Sequence, residues 1–349
     1  MANLESRHSG PKIITFEPTS KCLGRCIMCS NWALSDSQDL ELQNYLNIIK
    51  ESANFGVEHI NTAGGDPLLY PEIYTLCGEI KKVGLEAAMV TMGCNITMTN
   101  AETLVRTGID IVRFSLDAPD PDVHNFIRGV PFAFQRTVRG IKQLTEIKNQ
   151  LGLNKPRIEI NMTIMQKNAG FAEDMLDFST QLNVDRLNYS LVTVISPEVI
   201  QKTNKHFNMN VCSKQFTGNE NRQLLLTENE AVQSREIFKR IFDRDVESKT
   251  NVGIILKMLL RVEDVIEGDY LRNELDSKML ICPSPSSRLV INSQGEIFPC
   301  SSIRYSFGNI QKESLISIWK NQKRQAFIDI LNSDGWAAIC YKCCSLKPI

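Results

Sequence analysis

Six apolar runs of strand length, at 12–17, 57–63, 85–92, 109–116, 157–164 and 186–194, alternate with amphipathic helical patterns near 39–54, 70–83, 99–107, 131–150 and 168–182. A strand, a crossover helix and a further strand, repeated, make a parallel sheet. The repetition predicts an α/β fold built on a partial (β/α)6 barrel of the TIM type over residues 1–200. In such barrels the ligand-binding and catalytic groups gather on the loops after the C-terminal ends of the strands, so the chemistry is sought there. The chain has 349 residues, 42% of them apolar, enough to fill that core and leave two further regions. Residues 201–278 read as a lid and helical connector, and 279–349 as a small α+β domain of a hairpin and a helix.

The formal charge is −1 and no long Lys/Arg block occurs, which gives no electrostatic reason to expect nucleic acid or an anionic membrane as partner. The first ten residues are polar, and no apolar stretch approaches the roughly 18 residues of a membrane span. The cytoplasm is the expected compartment. Eleven cysteines in a reducing compartment point to metal or catalytic roles rather than to disulfides. They cluster near the two ends of the chain, with Cys77, Cys94 and Cys212 scattered between, which suggests two separate metal sites.

The first cluster, Cys22-x3-Cys26-x2-Cys29, follows the first strand. Three thiolates hold three irons of a cubane cluster and leave the fourth iron open to a substrate or cosubstrate. A structural zinc site needs four protein ligands, and no fourth Cys or His falls in this loop. Polar groups end the other strands as well: Gly64-Gly65-Asp66-Pro67 after the second, Ser115 and Asp117 at the end of the fourth, Asn161 on the fifth, and Arg128 in the segment after the fourth. The glycines let backbone approach a ligand closely, the carboxylate supplies an acceptor, and a guanidinium pairs with a carboxylate.

Over residues 12–195 these motifs resemble the radical S-adenosylmethionine (radical SAM) superfamily. The resemblance implies a 4Fe-4S cluster on Cys22, Cys26 and Cys29, and SAM held by Gly64, Gly65, Asp66 and Pro67 at its amino group. It further implies that Ser115 and Asn161, with Asp117 close by, sit at the ribose or its surroundings, and that Arg128 meets the SAM carboxylate. Two positions depart from the family: Asp66 stands where Glu is usual, and Met28 occupies a place where an aromatic commonly packs near the adenine. The implied chemistry is reductive cleavage of SAM, fed by a donor such as flavodoxin or ferredoxin, to a 5'-deoxyadenosyl radical that abstracts a hydrogen atom from an unactivated C–H bond.

The second cysteine group comprises Cys282, Cys300, Cys340, Cys343 and Cys344, set around a hairpin at 288–299 and an amphipathic helix at 313–332. Gly295-x4-Cys300 resembles the opening of the twitch or SPASM auxiliary-cluster domain. With fewer cysteines than a full SPASM pattern, the single-cluster twitch form is the better match, implying a second 4Fe-4S cluster on Cys282, Cys300, Cys340 and Cys343. Cys344 is an alternative to Cys343, and a zinc ribbon is the competing reading of the same spacing. An auxiliary cluster that accepts an electron predicts two-electron oxidation, a dehydrogenation. A cysteine that donates a hydrogen atom, Cys212 or Cys94, predicts redox-neutral epimerisation instead. About a dozen residues precede the first strand, which favours a carbohydrate or aminocyclitol over a peptide substrate without deciding between them. The alternative of another class is a zinc-stabilised binding or scaffold protein.

Overall fold

The computed structural model describes residues 10–29, 31–34, 39–211, 224–244, 280–343 and 347–348. Strands β1 (Ile13–Phe16), β2 (His59–Thr62), β3 (Glu86–Thr91), β4 (Ile111–Ser115), β5 (Arg157–Ile164) and β6 (Arg186–Leu191) pair in chain order, each pair parallel. Helices α1 (Leu42–Asn54), α2 (Ile73–Lys82), α3 (Met98–Arg106), α4 (Pro121–Arg128), α5 (Ala133–Gln150) and α6 (Ala172–Gln181) cross between them. Successive side chains of a strand point to opposite faces, and here that period separates two environments. Ile14, Phe16, Ile60, Val112, Phe114, Ile158, Ile160 and Leu187 are buried in the main core, and each side chain of this size stabilises the fold by about 1.5–3 kcal/mol on burial. The intervening Thr15, Asn61, Arg113, Ser115, Asn161 and Asn188 take the other face, where they remain partly accessible.

The predicted alternation is present, with three differences. Helix α4 lies in the segment after strand four, to which the sequence pattern assigns no helix. Its eight residues are too few to show a period, and local chemistry defines it: Asp120 accepts the Val123 N–H at 2.9 Å, Pro121 fills the first turn, and Gly129 ends it in the left-handed region. The region expected as a lid and helical connector is entered by helix α7 (Pro197–His206), capped by Ser196, and contains α8 (Glu228–Asp243); Cys212, with the rest of 212–223 and 245–279, lies outside the described residues. The terminal helix is two helices, α9 (Leu315–Lys320) and α10 (Gln322–Asp334). The extended backbone of Asn321 stops the first, and its side chain caps the second by accepting the Arg324 N–H at 3.0 Å.

After β7 (Leu280–Ile281), the expected hairpin is β8 (Arg288–Ile291) and β9 (Glu296–Phe298), and it does not stand apart from the barrel. Strand β8 pairs parallel with β1, with Ile14 opposite Leu289, and β9 and β10 (Gly308–Asn309) extend the same sheet to nine strands. The C-terminal cysteines are thereby brought against the first barrel strand. None of the helices among the described residues is long and apolar enough to cross a membrane.

Candidate active site

The loop from Glu17 to Cys29 is fastened on two sides by backbone hydrogen bonds. On one side the N–H groups of Gly65 and Asp66 donate to the carbonyls of Thr19 and Lys21 at 3.0 and 2.8 Å; on the other, those of Arg25 and Ile27 donate to Arg128 and Ile127 at 2.9 and 3.0 Å. Both contacts depend on glycine. A Cβ on Gly65 would lie 2.2 Å from the Lys21 oxygen, and one on Gly129, where φ is +63°, would lie 2.4 Å from the Arg25 oxygen. Two residues without a signal of their own in the sequence also shape this loop. Arg25 Nη1 donates to the carbonyls of Cys22 and Gly24, its guanidinium stands 5.2 Å from the Trp32 ring centroid, and Trp32 Nε1 donates to the Cys29 carbonyl at 2.6 Å.

Each of the three sulfurs receives an N–H. Gly24 N–H points to Cys22 Sγ at 3.3 Å, Asn31 N–H to Cys29 Sγ at 3.4 Å, and Arg128 Nη1 to Cys26 Sγ at 3.7 Å. A Cβ placed on Gly24 would be 3.1 Å from Cys26 Sγ and 3.5 Å from Cys22 Sγ, so these two sulfurs flank one small space. Burial pushes the Cys22 thiol up to about 11, and raises Cys29 as well, with the neighbouring sulfurs adding to both shifts. Metal binding must release those protons, and the N–H donors are placed to stabilise the thiolates that result. Arg128 Nε is a buried donor without a partner among the described residues, next to Cys26, and suits an anionic group. No three His, Cys, Asp or Glu side chains among the described residues converge on one point as ligands of a single ion do. A cubane does not require it, because each thiolate binds its own iron. The donor set fits a three-thiolate cluster.

The remaining predicted contacts are partly redirected. Asp66 is buried, and its carboxylate accepts from Thr91 Oγ1 at 2.7 Å, Leu68 N–H at 3.1 Å and Met92 N–H at 3.2 Å. Burial raises its carboxyl while these hydrogen bonds act against the shift. Having one methylene less than Glu, this acid turns inward and holds the Pro67 turn to β3. Arg128 is likewise already paired: Nη2 lies 2.7 Å from Asp117 Oδ2, both side chains being buried, and Asp117 Oδ1 accepts the Thr163 N–H at 3.0 Å. Asp117 therefore faces Arg128 and the Thr163 backbone. Ser115 and Asn161 are neighbours in register on β4 and β5. Met28 packs on Ile127, Met165, Val192 and Val194. Cys94 is 5% exposed and packs with Met92, Ala133 and Cys22, its thiol turned to Thr137 Oγ1 at 3.5 Å. Burial raises that thiol too.

The structure brings four of the five C-terminal cysteines together; Cys344 lies outside the described residues. Cys282, Cys300, Cys340 and Cys343 line one cavity of about 270 Å³, whose walls include Thr15, Glu17, Asn61 and Ala63 of the barrel. A second cavity, of about 370 Å³, lies against Gly64, Gly65, Thr19, Asn31 and the β8–β9 turn. Glu17 belongs to both. Its carboxylate is 3.2 Å from Arg304, which follows Cys300 in the chain and lies over the Phe298 ring at 4.9 Å. No sequence signal discloses this pair, because the two residues lie near opposite ends of the chain.

Residues 16–178 match the model of the radical SAM superfamily, and residues 282–344 match that of SPASM, an iron-sulfur cluster-binding domain. The chain thus carries a radical SAM domain followed by a C-terminal SPASM-type domain, and these domains imply SAM, its 4Fe-4S cluster and auxiliary iron-sulfur binding. The zinc readings of both cysteine groups give way to iron-sulfur. Among curated relatives, the chain is 22% identical over 334 residues to the tungsten-containing aldehyde ferredoxin oxidoreductase cofactor-modifying protein of Pyrococcus furiosus, covering 89% of this chain and 82% of that one. It is 21% identical to the AdoMet-dependent heme synthase of Methanosarcina barkeri (90% and 83% covered) and 28% identical over 173 residues to the PqqA peptide cyclase of Methylorubrum extorquens, covering 49% of this chain and 43% of that one. The fold is that of Streptococcus suis SuiB bound to S-adenosylmethionine, with TM-score 0.62 at 15% identity, 90% of this chain and 66% of SuiB being covered. It is also that of anSMEcpe with bound AdoMet, with TM-score 0.61 at 16% identity, 91% and 82% being covered.

Proposed function

We propose that this radical SAM enzyme carries out a two-electron oxidation of a peptide substrate, with Cys22, Cys26 and Cys29 holding the SAM cluster and Cys282, Cys300, Cys340 and Cys343 one auxiliary cluster. With both groups bound, the chemistry supplied is reductive cleavage of SAM, hydrogen-atom abstraction by the 5'-deoxyadenosyl radical and passage of a second electron from substrate to the auxiliary cluster, its proton going to solvent. The observation that carries this reading is the shared wall at Glu17, which sets the cavity of the four thiols beside the one at Gly64 and Gly65. Ser115 and Asn161 then face the SAM ribose, Met28 packs near the adenine, and Arg128, with its charge already balanced by Asp117, offers its remaining N–H to an anion. A peptide is favoured as substrate class by the likeness to the PqqA peptide cyclase. Epimerisation through Cys94 is disfavoured by its buried thiol, turned inward to Thr137, since a hydrogen donor must reach the substrate radical.

Anaerobic reconstitution is expected to give a brown protein with about eight irons, as two four-iron clusters require, and SAM-dependent release of 5'-deoxyadenosine. With a peptide that stimulates this release, the product made in deuterated water is expected to be oxidised and free of solvent deuterium at the reacted carbon. Deuterium at that carbon, in a product of unchanged oxidation state, would replace oxidation by thiol-mediated epimerisation.

A further inference from the structure

The interior-facing positions of β4, β5 and β6 form a row in register: Ser115 beside Asn161, and Asn161 beside Asn188. Below them, Glu159 is 1% exposed and accepts from Arg113 Nε at 2.8 Å and Arg157 Nε at 2.6 Å. Burial alone would raise its carboxyl, but the Arg113 charge and the hydrogen bonds from Arg157 and Asn188 bring it below the usual range, so it is ionised and accepts only. Asn188 stands between this carboxylate and Asn161, 3.1 Å from each.

That geometry removes the usual ambiguity of an amide. The atom of Asn188 facing a carboxylate must be its NH2, and the same NH2 faces Asn161, so the atom of Asn161 turned to it must be oxygen. Asn161 consequently presents its own NH2 away from Asn188, and this NH2 has no hydrogen-bond partner among the described residues. We infer that Asn188 is a positioning residue for SAM binding: it transmits the acceptor character of Glu159 across the sheet and fixes Asn161 as a hydrogen-bond donor to the cofactor. The inference rests on the proposed role of Asn161 as a cofactor contact and adds the reason its amide has one orientation.

The test is the dissociation constant for SAM on the reconstituted protein, measured by equilibrium dialysis without reductant so that no turnover occurs, for Asn161→Ala, Asn188→Leu, Asn188→Asp and the double variant Asn161→Ala/Asn188→Leu. Removing one neutral hydrogen bond is expected to weaken SAM by about three- to tenfold in Asn161→Ala. Asn188→Leu, which frees Asn161 to rotate, is expected to weaken it by a similar factor, and Asn188→Asp, which draws the Asn161 NH2 toward itself, by at least as much. In the Asn161→Ala background, Asn188→Leu should have no further effect, because its action passes through Asn161. An undiminished effect there would show a merely structural role and overturn the inference, as would unchanged affinity in Asn188→Leu while Asn161→Ala is weakened. Unchanged affinity in Asn161→Ala would instead remove the cofactor role of Asn161, and the inference with it.

Discussion

Replacing Asp117 by Asn is expected to destabilise the protein by about 3–5 kcal/mol, as for other buried ion pairs that lose one partner. The Asn is isosteric and keeps an acceptor for the Thr163 N–H, but it turns an NH2 donor toward Arg128 Nη2, so charge and acceptor are lost together. Arg128 remains protonated under all practical conditions, and its other close neighbour is the sulfur of Cys26. Left without a counter-charge, the buried guanidinium either stays and is poorly solvated or pulls α4 away from the cluster loop. Since that loop is stitched to α4 through the carbonyls of Ile127 and Arg128, withdrawal loosens Cys26 directly. Denaturant melts of the apo-protein under anaerobic conditions read the stability, and iron content after reconstitution reads the loop. The paired change Asp117→Asn/Arg128→Leu removes both charges and should recover much of the loss. A cost under about 1 kcal/mol for Asp117→Asn would mean that Arg128 is compensated by another group and that its ion pair is not what anchors the loop.

The parts of this molecule that are legible in the sequence are those governed by local period and spacing. The alternation predicts a strand at 157–164, and β5 is Arg157–Ile164, because an uninterrupted alternation identifies both the strand and its faces. The C-x3-C-x2-C spacing points to a three-thiolate iron site, since that chemistry needs three thiols in one loop. What the sequence withholds depends on partners far apart in the chain. The departure at Asp66 is visible, but the direction of its carboxylate is not, because Thr91 and Met92 reach it only after β2 and β3 pair. Arg128 reads as a free cation because Asp117, eleven positions earlier, ends a strand and on that pattern belongs to the mouth rather than to the guanidinium. Asn188 has no signal of its own: its importance comes from the register of β6 on β5 and from the neighbouring Glu159 carboxylate. Glu17 acquires its place only when β8 joins β1 and brings the segment after Cys300 to the barrel mouth.

The two cysteine groups are expected to fail in different ways, and the difference separates SAM cleavage from substrate oxidation. Replacing Cys26 by Ala leaves two thiolates where three irons need ligands, and it removes the sulfur that faces Arg128. Release of 5'-deoxyadenosine should fall to background, with no product of any kind. Replacing Cys300 by Ala removes a sulfur from the other cavity, where the backbone N–H groups of Ser302 and Ile303 act against the rise that burial imposes on its thiol. The cluster loop is untouched, because none of its fastenings involves residues of that cavity other than through Glu17. Cys300→Ala should therefore retain about half of the iron and continue to release 5'-deoxyadenosine, while oxidised product falls at least tenfold relative to 5'-deoxyadenosine formed. The ratio of the two products, followed by liquid chromatography with mass detection, is the quantity to measure, since it is insensitive to the fraction of active protein. A Cys300→Ala enzyme that keeps the parent ratio would assign the auxiliary site a structural role and leave the second electron to another acceptor. Loss of 5'-deoxyadenosine in both variants, with iron retained at the first site in Cys300→Ala, would show instead that the auxiliary site governs delivery of the first electron, a path for which the wall at Glu17 is equally well placed.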